Sequence, residues 1–96
     1  MKAFKFRSLD LRLMKYAAKI EVSLKPGHSN PEGETTQRLL IELGYKVSAV
    51  DVSKVYTVNL QAATLVEAKA KAEEMSKRLL ANPTKDNYTI NVVEIK

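Results

Sequence analysis

No cysteine occurs in the 96 residues, which removes disulfides, thiolate nucleophiles and thiolate metal sites together and fits a reducing compartment. Histidine is nearly absent too. His28 stands alone, and with only Glu32 and Glu34 near it in sequence it falls short of the four nitrogen or sulfur ligands of a closed zinc site, so a solvated loop histidine is favoured. None of Ser23, Ser29, Ser48, Ser53 and Ser76 sits in a G-x-S-x-G setting, which argues against serine hydrolysis. No apolar run approaches the roughly 20 residues that span a bilayer, and the start lacks the apolar core of a signal peptide. Glycine and proline are scarce, three each, against 45% apolar and 28% charged residues, which excludes collagen-like and disordered classes and leaves a globular domain. The glycines have neither the G-x-x-x-x-G-K nor the G-x-G-x-x-G spacing of a phosphate cradle.

Charge of one sign is scarcer than the net +5 suggests. Residues 1–13 hold Lys2, Lys5, Arg7 and Arg12 against Asp10, a net +3, and the remaining 83 residues hold twelve basic and ten acidic side chains. A nearly neutral body does not steer phosphates, so nucleic acid is not the expected partner. The basic leader is read as an N-terminal extension, poorly ordered, with Met14 as the natural start and residues 14–96 as one domain.

Alternation of Tyr16, Ala18, Ile20, Val22 and Leu24 with Ala17, Lys19, Glu21 and Ser23 predicts a half-buried strand that Pro26-Gly27 ends. Asn30 is a suitable N-cap and Pro31 fits the first helical position. Thr36, Leu39, Leu40 and Leu43 form one apolar stripe of a helix over about 31–43, which Gly44 closes. Two strands, 45–52 and 54–62, are predicted next as a tight antiparallel hairpin. Thr64 and Glu67 make a capping box for a second helix whose buried stripe is Ala68, Ala72, Met75 and Leu79. Asn82-Pro83 stops it, and residues 88–95 form the last strand. The order β-α-β-β-α-β predicts an α+β two-layer sandwich, ferredoxin-like, with an antiparallel sheet and two helices on one face.

RNA-recognition modules share that order but display stacking aromatics on the open sheet face. Here that face is Lys19, Glu21, Ser23, Thr57, Asn59, Gln61, Thr89 and Asn91, with nothing to stack a base. Such a face suits an interface or plain strand chemistry equally. Tyr88, Ile90 and Val92 with Val93 and Ile95 make both faces of the last strand apolar, which invites self-association. Glu73 and Glu74, adjacent on a helix and interleaved with Lys69, Lys71, Lys77 and Arg78, do not converge and read as a solvated face.

Five short segments, Leu24-Lys25-Pro26-Gly27, Asn30-Pro31-Glu32-Gly33, Gly44-Tyr45, Lys54-Val55-Tyr56 and Leu79-Leu80-Ala81-Asn82-Pro83, stand in an order that resembles the small S subunit family of phosphoribosylformylglycinamidine (FGAM) synthase, over about residues 16–95. Asn30 replaces the family's usual aspartate, which keeps the cap and loses a charge. The resemblance implies a cytoplasmic purine-biosynthesis protein with no catalytic, cofactor or metal residues of its own. It implies a ligase complex in which a large synthetase subunit uses ATP and Mg, a glutaminase subunit supplies ammonia, and the small subunit bridges them as a homodimer or dimer of dimers. The matched positions Lys25, Pro26, Gly27, Lys54, Tyr56, Asn82 and Pro83 become candidate interface residues. For Pro26, Gly27, Tyr56 and Pro83, turn geometry or core packing is the stronger reading, which leaves Lys25 and Lys54 as the best candidates. From a different class, a ferredoxin-like regulatory module that binds a ligand at its dimer interface stays open.

Overall fold

The strand β1 (Met14–Leu24) is the spine of a three-stranded antiparallel sheet in the computed structural model, which describes residues 13–96. Residues 1–12, and so nearly all of the expected extension, lie outside the described residues. β2 (Lys54–Ala62) pairs along one side of β1 and β3 (Asp86–Ile95) along the other, with Ile20 opposite Tyr56 and Ile90. The period-2 pattern sorts the faces as predicted: Tyr16, Ala18, Ile20 and Val22 are buried while Lys19 and Glu21 are exposed. Helix α2 (Leu65–Met75) covers the apolar face through Ala68 and Ala72, which have no exposed surface and whose small side chains let the helix approach closely. Its N-terminus is capped as expected, Thr64 Oγ1 accepting from the Glu67 amide at 3.1 Å, while Glu67 reaches back to the amide of Ala63.

The α+β class, antiparallel sheet and two helices agree with the sequence reading, but three particulars differ. Leu79 is not in the buried stripe and is 82% exposed. The helix runs into a π-turn over Ser76–Leu80, in which the Ala81 amide donates to the Ser76 carbonyl five residues back, at 2.9 Å. In an α-helix the series Ala68, Ala72, Ser76 and Leu80 would drift by about 40° per step, and the wider turn reverses the last step. Leu80 therefore packs against the core in place of Leu79, and buried Ser76 donates its hydroxyl to the Ala72 carbonyl at 2.9 Å.

Residues 45–52 are not a strand. A two-residue hairpin needs a positive φ that Asp51, Val52 and Ser53 do not adopt; among the described residues only Gly27 and Gly44 have one. The segment instead runs back along helix α1 (Pro31–Glu42). Gln37 Nε2 donates to the carbonyls of Val47 (3.3 Å) and Ser48 (2.8 Å), Asn30 Nδ2 donates to that of Val52 (3.3 Å), and Gly33 is buried against Val50.

The third difference follows from the second. Helix α1 does not lie on the sheet, contributes nothing to the buried core, and forms with residues 45–53 an arm of its own. Its ends follow the sequence signals closely. Asn30 accepts the Gly33 amide at 3.0 Å, and Gly44 at φ 100° lets its own amide reach Ile41 and that of Tyr45 reach Leu40.

Candidate functional site

Lys25, Pro26, Gly27, Lys54, Asn82 and Pro83 gather at one end of the sheet, where β1 stops, the arm begins and β3 starts. Lys25-Pro26-Gly27-His28 is a tight turn closed by the His28 amide on the Lys25 carbonyl at 3.3 Å. Proline presets the first central residue and Gly27, at φ 91°, supplies the left-handed second one. Its backbone sets this requirement, since a Cβ there would meet nothing.

A second turn locks onto the first. Asn82 accepts the amides of Lys85 (3.2 Å) and Asp86 (2.8 Å) on its carbonyl and that of Thr84 (2.8 Å) on its side chain, and Asp86 Oδ2 accepts the Asn82 amide at 2.9 Å. Lys25 joins the two: its amide donates to the Lys85 carbonyl at 2.7 Å and its Nζ to the Pro83 carbonyl at 2.9 Å. The sequence segments LKPG and LLANP, more than fifty residues apart in the chain, are thus one structural unit.

The two candidate lysines part company here. Lys25 has an internal task, tying two turns together. Lys54 opens β2 opposite Val22 and lines a shallow cavity of about 260 Å³ with Leu24, Asn30, Glu32, Leu80 and Lys85. Among the described residues the only ion pair joins Lys77 to Glu73, at 3.7 Å, so Lys54, exposed at the rim, forms none with them. Beside it Ser53 donates to Glu21 Oε2 at 2.7 Å. Tyr56 belongs to neither group: it is half-buried and packed against the core.

Sequence reasoning missed Lys85 and Glu32 at this cavity, since only folding brings 80–86 against 52–54. Acidic and basic groups of Glu32, Lys54, Lys85 and Asp86 at an end with no buried polar cluster among the described residues suit macromolecular contact better than small-molecule chemistry. Among the described residues no group of three His, Cys, Asp or Glu side chains could hold a metal.

The one titration among the described residues that departs clearly from normal lies elsewhere. The Tyr88 hydroxyl donates to Glu73 Oε2, and this hydrogen bond, with smaller contributions from desolvation and from the carboxylate charge, holds the phenol above its ordinary pKa. The contact staples β3 to α2.

Residues 17–94 match a family described as PurS, phosphoribosylformylglycinamidine (FGAM) synthase. A curated relative, the PurS subunit of phosphoribosylformylglycinamidine synthase from Methanothermobacter thermautotrophicus, is 34% identical over 86% of this chain and 99% of its own length. The fold is similar to the solved PurS of Thermus thermophilus, with TM-score 0.79 and 35% identity over 85% of this chain and 99% of that one. It is also similar to a chain in the structure of PurLQS from Thermotoga maritima, with TM-score 0.69 and 28% identity over 86% of this chain and 98% of that one.

Proposed function

Because this chain belongs to the PurS family of FGAM synthase subunits, we propose that it is the non-catalytic bridge of that ligase, holding the glutaminase subunit beside the synthetase subunit so that ammonia passes locally from glutamine to formylglycinamide ribonucleotide. The observation that carries this reading is a match spanning nearly all the described residues, together with the similarity to a chain of a PurLQS assembly. Tethering raises the effective concentration of one subunit at the other, so an adaptor acts on glutamine-dependent turnover without touching the acceptor chemistry. ATP and Mg belong to the synthetase subunit in this reading, the complex works in the cytoplasm, and this chain self-associates as a homodimer or a dimer of dimers. No helix among the described residues is long and apolar enough to cross a membrane.

Within the bridge, Lys54 is the residue assigned to a partner contact and Lys25 the one that shapes the surface around it. The decisive measurement is FGAM synthesis by the synthetase and glutaminase subunits with and without this protein, using glutamine or ammonia as nitrogen donor. A bridge is required for the glutamine rate only. Indifference of both rates would remove the proposal. Lys54→Glu is expected to weaken assembly on gel filtration with little change in melting temperature, because Lys54 is exposed.

A further inference from the structure

The cavity at the end of the sheet has an apolar floor and a charged rim. Val22 and Leu24 of β1, Val52 of the arm and Leu80 of the π-turn line the floor. At about 260 Å³ the space falls just below the roughly 300–1,000 Å³ of pockets that enclose a small ligand, and it suits one or two inserted side chains.

The acids of the rim are already engaged. Asp86 Oδ2 accepts the Asn82 amide at 2.9 Å, and Glu32 stands in the first turn of α1, where the positive helix end offsets its charge. The bases differ. Lys54 and Lys85 are both exposed, and neither forms an ion pair with the described residues. Both stand on fixed backbone: Lys54 sits in the ladder opposite Val22, while the Lys85 amide donates to the Asn82 carbonyl at 3.2 Å and its carbonyl accepts the Lys25 amide at 2.7 Å. Cations placed in this way lose little backbone freedom on meeting a partner.

Beside the cavity lies a second hollow of about 310 Å³, which shares Leu24, Val52 and Ser53 with it but carries Glu21 and Asp51 where the first carries lysines. One half of this end thus holds two bases against two engaged acids, and the other holds acids alone. A partner's carboxylate is drawn to the first half and repelled by the second.

We propose that the cavity receives an apolar side chain from a partner subunit of the ligase, with a carboxylate beside that side chain paired to Lys54 or Lys85. Such docking rests on the bridging reading and adds to it the chemistry of the partner's segment and a second contact residue, Lys85. An apolar centre within a polar rim is where association energy concentrates, and the rim cations act on the encounter rate and its salt dependence.

A carbodiimide joins a lysine to a carboxylate in direct contact with it as an amide, with loss of water, and peptide mass spectrometry then identifies both residues. In the full chain assembled with the synthetase and glutaminase subunits, an amide is expected between Lys54 or Lys85 and an aspartate or glutamate that neighbours an apolar residue of one of those subunits. An amide to a second copy of this chain instead, or none at either lysine, overturns the docking and leaves the bridge intact. The concentration of this chain that half-saturates glutamine-dependent FGAM synthesis supplies an independent reading. Lys85→Glu is expected to raise it at least about tenfold, and Lys71→Glu, the same charge change at an exposed position of α2, less than about twofold. Equal effects of the two, or no effect of Lys85→Glu, refute the inference. A glutamine rate that does not depend on the unsubstituted protein removes the bridging reading itself, and the docking with it.

Discussion

Replacing a helical glycine by alanine ordinarily stabilises a protein, by about 1 kcal/mol in a helix interior, because alanine loses less backbone freedom. Gly33 in the first turn of α1 is expected to do the opposite. An alanine Cβ there would collide with the Val50 carbonyl oxygen and stand 3.0 Å from the carbonyl carbon and 3.1 Å from Asn30 Oδ1. Neither backbone can yield without moving the return segment off the helix. That movement breaks the Asn30 to Val52 bond and the Gln37 bonds to Val47 and Ser48, each worth on the order of 1 kcal/mol. Set against the propensity gain, the net loss is about 1–2 kcal/mol, a roughly five- to thirtyfold rise in the open population of the arm. The arm shares no core with the sheet, so the loss falls on local opening more than on the global transition. Limited trypsin digestion after exposed Lys46 reads that population directly. Thr35→Ala, on an exposed position of the same helix, serves as the control for propensity. Cleavage at Lys46 that is slowed or unchanged in Gly33→Ala would falsify the packing described for the arm.

The π-turn separates two adjacent leucines: Leu80→Ala is expected to lower stability by about 1–3 kcal/mol in urea unfolding, Leu79→Ala by less than about 0.5, and equal losses would mean that the turn does not redirect the side chains. For Tyr88 the folded pKa lies above the unfolded value near 10, so its contribution to stability is complete below that pH and is lost as pH rises through the folded pKa. One of the four tyrosines should therefore ionise later than an exposed phenol in a tyrosinate absorbance titration, and Glu73→Gln should bring it back; an unmoved titration curve would sink the assignment.

What was legible in the sequence was whatever local chemistry decides. The Asn30 and Thr64 caps, the Gly44 closure and the sorting of β1 into a buried and an open face follow from side chains acting within four residues, and all occur. What was not legible needed a choice between partners far apart in the chain. Residues 45–52 hold apolar side chains suited to a strand, but Val47, Val50 and Val52 are half-buried beside α1, where Gln37 and Asn30 accommodate carbonyls that a ladder would otherwise bind. Periodicity records that a residue will be covered without recording by what. The same ambiguity governs α1, whose Leu39 and Leu43 imply a core contact that the single chain does not supply. At the candidate site the matched segments pointed to one end of the molecule, yet they could not rank Lys25 against Lys54. That ranking came only when Lys25 met the Pro83 carbonyl and Lys54 formed no ion pair among the described residues, a difference that should appear as Lys25→Ala costing stability and Lys54→Ala costing assembly.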